Sequence, residues 1–117
     1  MKKKATFETF NDGIVNIYKL KDVSKPGMKP NLKPALHKKC HFGYRTIGVK
    51  RHYEAAQAQV RLDEMIQIPI DRAISTQEIA VIQEVQYNIK QVQHKMDTMP
   101  KTSLLSLTIL EAYYDGL

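Results

Sequence analysis

The chain has 117 residues, a formal charge of +6 and 43% hydrophobic residues, without Trp and with three Phe. That length holds one domain with a modest core of Ile, Val, Leu and Tyr. The single cysteine, Cys40, excludes an intramolecular disulfide framework, and no stretch approaches the roughly 20 apolar residues of a membrane span. The start, MKKKATFETF, is charged but has no apolar run behind it, so the expectation is a product without a secretory leader.

The charge is unevenly placed. Residues 1–52 carry 13 Lys or Arg against Glu8, Asp12 and Asp22, whereas residues 53–117 carry five against nine carboxylates. A basic half attracts nucleic acid or an acidic protein surface, or serves only as a solvated face.

In chain order, residues 1–12 read as a flexible lead-in. GIVNIYKL, residues 13–20, is rich in β-formers and predicts a first strand after the turn residues Asn11-Asp12-Gly13. Residues 22–39 carry Pro26, Pro30 and Pro34, with Lys25, Lys29 and Lys33 each preceding one, and Lys38 and Lys39 at the end. Residues before proline are pushed out of the α region. The segment also lacks the alternation of a buried strand. It is therefore expected as a long basic loop, with a reach on the order of 25–30 Å if doubled back on itself.

HFGYRTIG, residues 41–48, predicts a second strand. A short helix is expected next, with Val49, Tyr53 and Ala56 on one face and Lys50, Arg51, Glu54 and Gln57 off it. In the following strand Val60, Leu62, Ile66, Ile68 and Ile70 share one parity, which fits an antiparallel sheet or small barrel. Residues 78–83 and 85–94 predict a hairpin turning near Gln83-Glu84. The apolar phase of its second arm, Tyr87, Ile89, then Val92, slips near Lys90-Gln91, which indicates a β-bulge. TSLLSLTIL, residues 102–110, is the last strand, and residues 113–117 form a tail. The expected class is mainly β: an antiparallel barrel of five or six strands over residues 13–112, with one short helix and the long loop 22–39. Ile66, Ile68, Tyr87, Ile89, Val92, Leu107 and Ile109 are its expected core.

Candidate chemistry is sparse. His37, Cys40 and His41 come nearest to a metal motif, but a structural zinc site needs four ligands and no second pair completes this one. Cys40 with the histidines permits a Cys-His pair on paper, with no surrounding nucleophile motif. No glycine-rich phosphate loop is present. The sequence gives no support for an enzyme or a cofactor. Tyr44, Tyr53 and Tyr87 with basic neighbours are compatible with a stacking platform of an OB-like nucleic-acid-binding module.

The order of motifs also carries a resemblance. YRTIGVKRHYEAAQAQVRLDEMIQIP, then ISTQEIAVIQEVQYNIKQVQHKMDTMP, then LLSLTIL resemble the phage head-tail joining family, the head-closure or stopper proteins of tailed phages and of prophages in Gram-positive bacteria. The matching positions are Arg51, Tyr53, Ala55 and Gln57 in the helix, IQIPIDR after it, and Tyr87, Ile89 and Val92 in the later strand. Relatives often place Gly in the turn before that strand, where this chain has Gln83-Glu84-Val85. The resemblance covers residues 13 to about 112.

It implies a small barrel that assembles as a ring, by portal symmetry a dodecamer, in the virion after a cytoplasmic assembly phase. The ring would sit under a portal or portal adaptor protein, extend the channel for packaged double-stranded DNA, retain that DNA, and dock a tail completion protein. It implies that the loop lysines Lys25, Lys29, Lys33, Lys38 and Lys39 face the DNA channel or a partner. The helix residues Lys50, Arg51, Glu54 and Gln57 would serve assembly.

Overall fold

The computed structural model describes residues 6–7, 9–45, 62–114 and 117. Its elements are all strands: β1 (Thr6–Phe7), β2 (Gly13–Asp22), β3 (Leu32–Tyr44), β4 (Glu64–Pro69), β5 (Ile79–Ile82), β6 (Val85–Lys95), β7 (Thr98–Met99) and β8 (Thr102–Ile109). Six of them close into a barrel in the order β2-β3-β4-β8-β6-β5, all neighbours antiparallel. Closure gives every strand of the ring a partner on both sides, though β3 meets β4 only at Gly43 and Tyr44 and β2 meets β5 only from Asn16 to Tyr18.

The interior follows the two-residue alternation of the strands. Val15 and Ile17, Phe42, Ile66 and Ile68, Ala80 and Ile82, Tyr87 and Ile89, and Leu105 and Leu107 form one cluster, with Ile74 from the β4–β5 connection and Cys40, Val85 and Val92 packed against it. Two bulges adjust the pairing. One lies in β6 between Ile89 and Gln91, leaving Lys90 as the extra residue, which brings Val92 back to the inner face opposite Leu105. The other lies where Ile17 faces Lys38 but Tyr18 faces Leu36, leaving His37 as the extra residue in β3.

The β5–β6 turn is tight. Gln83 and Glu84 both have positive φ, 49° and 69°, the pattern of a type I′ hairpin that usually carries Asn-Gly.

The described residues near both termini lie on the outside of the barrel. β1 pairs in parallel with β7. Farther on, the Thr9 carbonyl accepts a bond from Gln67 Nε2 at 2.9 Å. A side chain at Gly43 would place its Cβ 2.5 Å from that same carbonyl, so the glycine is what lets the backbones approach. At the other end of the chain, Tyr114 donates its N–H to Gln86 Oε1 and accepts from Gln86 Nε2. The segments expected as a flexible lead-in and a tail thus supply a strand and two anchor points.

The expected class is corrected on its loop and on its helix. The long loop 22–39 is for the most part strand: β2 and β3 stay paired from Ile17–Lys38 out to Asp22–Leu32, so only residues 23–31 connect them. Pro34 is accommodated for a specific reason. Val23 N donates to Asn31 O, and counting the antiparallel alternation back makes Leu20–Pro34 a non-hydrogen-bonded pair. The proline nitrogen therefore faces the free edge of a two-stranded ribbon, where no donor is required. The helix, with Lys50, Arg51, Glu54 and Gln57, lies outside the described residues, and among the described residues there is no helix.

Of the expected core, Ile66, Ile68, Ile89 and Leu107 are fully buried, Tyr87 is buried and Val92 is partly buried. Ile109 is corrected: it is 41% exposed. It has the inward parity of Leu107 but is the last residue of β8, at the barrel mouth, where no further layer covers it.

This contrast is testable. Ile68→Ala or Leu107→Ala should destabilise by about 2–5 kcal/mol in denaturant titration, as deletions in a closed core do. Ile109→Ala should stay within about 1 kcal/mol, because much of its side chain is already in water.

Candidate functional site

Beyond the barrel, β2 and β3 continue as a two-stranded arm, which accounts for a molecule of 61 × 31 × 26 Å. Directly opposed residues share a face. One face carries Tyr18 with Leu36, Leu20 with Pro34, and Asp22 with Leu32. The other carries Lys19 with Ala35 and Lys21 with Lys33. The first face continues the outside of the barrel and the second continues its inside. The arm is thus largely apolar on one side, with Asp22 at its outer end, and basic on the other.

Its tip is built by local chemistry. Met28 N donates to Lys25 O at 3.0 Å, closing the turn Lys25-Pro26-Gly27-Met28. Proline at the second position and glycine at φ 81° at the third are what a type II turn requires. Below it, Asp22 Oδ1 accepts from Ser24 N at 2.9 Å and Asn31 N at 3.1 Å, clasping the two ends of the connection. The Ser24 bonds, with the Asn31 amide, hold the Asp22 carboxyl below its ordinary range. The turn encloses a shallow recess lined by Val23, Lys25, Met28 and Lys29.

The arm's base is tied to the barrel at its bulge. His37 Nδ1 meets Glu78 Oε1, and Ser75 N donates to Glu78 Oε2 at 2.5 Å. Glu78 is only 3% exposed, so its carboxyl oxygens rely on these partners for hydrogen bonds. Next to it Lys38 Nζ lies 3.3 Å from Asp71 Oδ2. Burial raises the Asp71 carboxyl, but the Ala73 amide and the Lys38 ammonium outweigh it and hold it low.

Among the described residues the opposite barrel end gathers carboxylates. Asp12 Oδ2 accepts from Tyr44 N at 2.7 Å, and Asp63 Oδ2 accepts from Ile109 N at 2.8 Å. Glu84 in the turn and Glu111 after β8 are exposed there, and Glu64 opens β4. Burial, then Glu64 and Asp12, raise the Tyr44 phenol; Tyr87 is raised by burial and then by Glu64. Residues 46–61, which connect Arg45 to Leu62 at this end, are outside the described set.

The structure divides the five lysines predicted as one loop. Lys25 and Lys29 are in the tip, Lys33 is on the arm's basic face, Lys38 is committed to Asp71, and Lys39 is exposed on the outer face of β3. Lys19 and Lys21 were not singled out from the sequence. Their signal was the alternation Tyr18, Lys19, Leu20, Lys21, which marks a two-faced strand once β2 is run past Leu20. Cys40 packs against the core while His41 on the next position is exposed on the other face. Burial pushes the Cys40 thiol up. Among the described residues no three His, Cys, Asp or Glu side chains gather to hold a metal ion. Tyr87 lies inside the barrel and Tyr44 stands edge-on to Phe42 at 4.9 Å, so the two do not make one exposed stacking surface. Tyr53 is outside the described residues.

No protein-family model matches the chain, and no curated protein matches it in a sequence comparison.

The Asp22 clasp predicts a pH response. Its folded value is depressed, so its contribution is complete above about pH 4 and is lost as pH falls through the folded value. Protection of the Ser24 and Asn31 amides, taken relative to the intrinsic exchange rate at each pH, should fall over that descent, and in Asp22→Ala it should be low at every pH. Barrel amides such as Ile68 should be unaffected. Unchanged protection at Ser24 and Asn31 in the variant would remove the clasp as the ordering element.

Proposed function

We propose that the chain is a head-closure protein of tailed phages. In this reading copies form a ring in the virion beneath a portal or portal adaptor, after synthesis in the bacterial cytoplasm. The ring continues the DNA channel, retains the packaged duplex and receives a tail completion protein. The sequence resemblance supplies the family. The observation that carries the reading is the arm: a ribbon fixed to a closed barrel, with its lysines sorted to one face.

That face needs an anion. Lys21 and Lys33 are directly opposed across the ribbon, and like charges in that position destabilise it. Lys19 extends the same row. A phosphate backbone running along the face relieves the repulsion and releases its own counterions. One arm binds weakly, but a ring presents the row many times to one duplex at high effective concentration. Basic arms around a channel thus hold a polyanion without reading its sequence.

The test uses Lys19, Lys21 and Lys33, all replaced by Gln. These side chains are exposed, so the barrel's stability should change by no more than about 0.5 kcal/mol. Rings should still form on filled heads. Genome leakage, read as nuclease-accessible DNA, should rise above wild type at low salt, and the gap should close as salt is raised, because salt screens the lysine–phosphate contacts that the variant lacks. Normal rings with wild-type leakage throughout the salt series would overturn the retaining role of this face.

A further inference from the structure

Among the described residues most of the exposed large apolar side chains lie on the arm or at the opposite rim, Met96 just before β7 and Met99 within it being the exceptions. Val23, Met28, Leu32 and Leu36 are on the arm, with Met28 at the tip 68% exposed. Ile14, Tyr44, Ile109 and Tyr113 are at or beside the opposite rim of the barrel. Apart from Asp22 on the arm and Arg45 at the rim, the charges of the described residues at these two ends follow the same division. Lys25 and Lys29 flank the arm's turn, while Asp12, Glu64, Glu84 and Glu111 stand at the rim.

We infer that the arm of one copy docks head to tail on the opposite rim of a second copy's barrel, its apolar face on the rim's apolar residues and its tip lysines on the rim's carboxylates.

The two surfaces are complementary in both respects, apolar against apolar and cation against anion. They cannot meet within one molecule, because β2 leaves the rim at Gly13 and reaches the arm only after crossing the barrel. Only a second copy brings them together. The contact joins different surfaces, so it repeats, and it closes into a ring when the rotation between copies divides a full turn. It also uses the arm's faces without conflict. The side bearing Leu32, Pro34 and Leu36 is covered by the neighbour, and Lys19, Lys21 and Lys33 stay open on the other side. The rim turn fits this role as well: Glu84 holds φ 69°, where glycine is the least strained residue, and it presents a carboxylate instead. The inference rests on the ring reading above for the closure of the contact, not for the contact itself.

Charge reversal in two places tests it. The arm variant is Lys25→Glu with Lys29→Glu; the rim variant is Glu84→Lys with Glu111→Lys. All four positions are exposed, so both variants should keep the wild-type thermal midpoint. Sedimentation of the full chain over a concentration series should show wild type associating and each variant weakened by roughly tenfold or more, since opposed rim charges now repel. An equimolar mixture of the two variants should associate again, because every contact in an alternating assembly is then between opposite charges. A zero-length carbodiimide cross-linker on mixed isotope-labelled and unlabelled wild type should join Lys25 or Lys29 of one copy to Glu84 or Glu111 of another.

Three results would each overturn the docking: a wild type that stays monomeric without such cross-links, variants that associate like wild type, or a mixture that stays monomeric. The head-closure reading fails separately. Rings of both variants on portal-bearing heads would sink the arm contact and keep that reading. Head-to-tail assembly of the free protein with no binding to such heads would do the reverse.

Discussion

A single extra residue in β3 determines what the arm presents. Up to Lys38, the even-numbered residues Phe42, Cys40 and Lys38 have the parity of the barrel interior. Had the pairing run on without interruption, Leu36, Pro34 and Leu32 would have kept that side and faced Lys19 and Lys21. The arm would then have mixed apolar and basic groups on both faces. His37 is the inserted residue, and it reverses the parity of everything beyond it. The bulge is held by a buried carboxylate. Removing either His37 or the Ser75 amide bond leaves Glu78 short of a partner where water does not reach, and that penalty falls on a buried charge. The sorting of the arm and the closure of the barrel end therefore depend on the same few atoms.

The rest of the barrel shows why strand alternation misleads in a chain this small. β4 reads as one-sided, with Ile66 and Ile68 against Gln67, yet Met65 and Gln67 are buried too. The outward side is covered because the N-terminal segment crosses it, with Thr9 bonded to Gln67 above Gly43. β8 is buried at every position from Thr102 to Leu107, on both parities. Gln86 points outward and is buried beneath Tyr114. A barrel of six short strands has too little interior for a large core, and the chain ends supply a second layer of burial outside it.

What was legible in the sequence was local. The slip in phase at Lys90, the turn at Gln83-Glu84 and the interior residues Ile66, Ile68 and Leu107 are each fixed by neighbours a few positions away. The misread segment 22–39 failed for the same reason. Three prolines and no apolar alternation disfavour a strand in a sheet interior, but the arm has no interior. Each of its strands has a free edge for a proline and a free face for a lysine. The exposure of Ile109 has the same origin: parity gives the direction of a side chain, and only the length of the neighbouring strands tells whether anything lies there. The grouping of Asp12, Glu64, Glu84 and Glu111 could not be read at all, because four separate elements bring those residues to one rim.

The uneven charge of the sequence thus becomes a polarity in space. The basic first half of the chain runs into the arm. Asp63, Glu64, Glu84 and Glu111 of the second half collect at the far rim with Asp12, while Asp71 and Glu78 stand at the arm's base. An isolated two-stranded ribbon with opposed lysines would be marginal in water. Here its strands are continuous with the barrel, its base is pinned by Glu78 and its tip is clasped by Asp22. Those ties order the arm before any partner arrives. Ordering a loop on binding subtracts from affinity, so an arm already held in shape keeps more of the free energy of each contact. A preformed arm that is apolar on one face and cationic on the other can engage a protein neighbour and a polyanion at once, which a flexible lysine-rich loop would do only at the cost of being ordered twice.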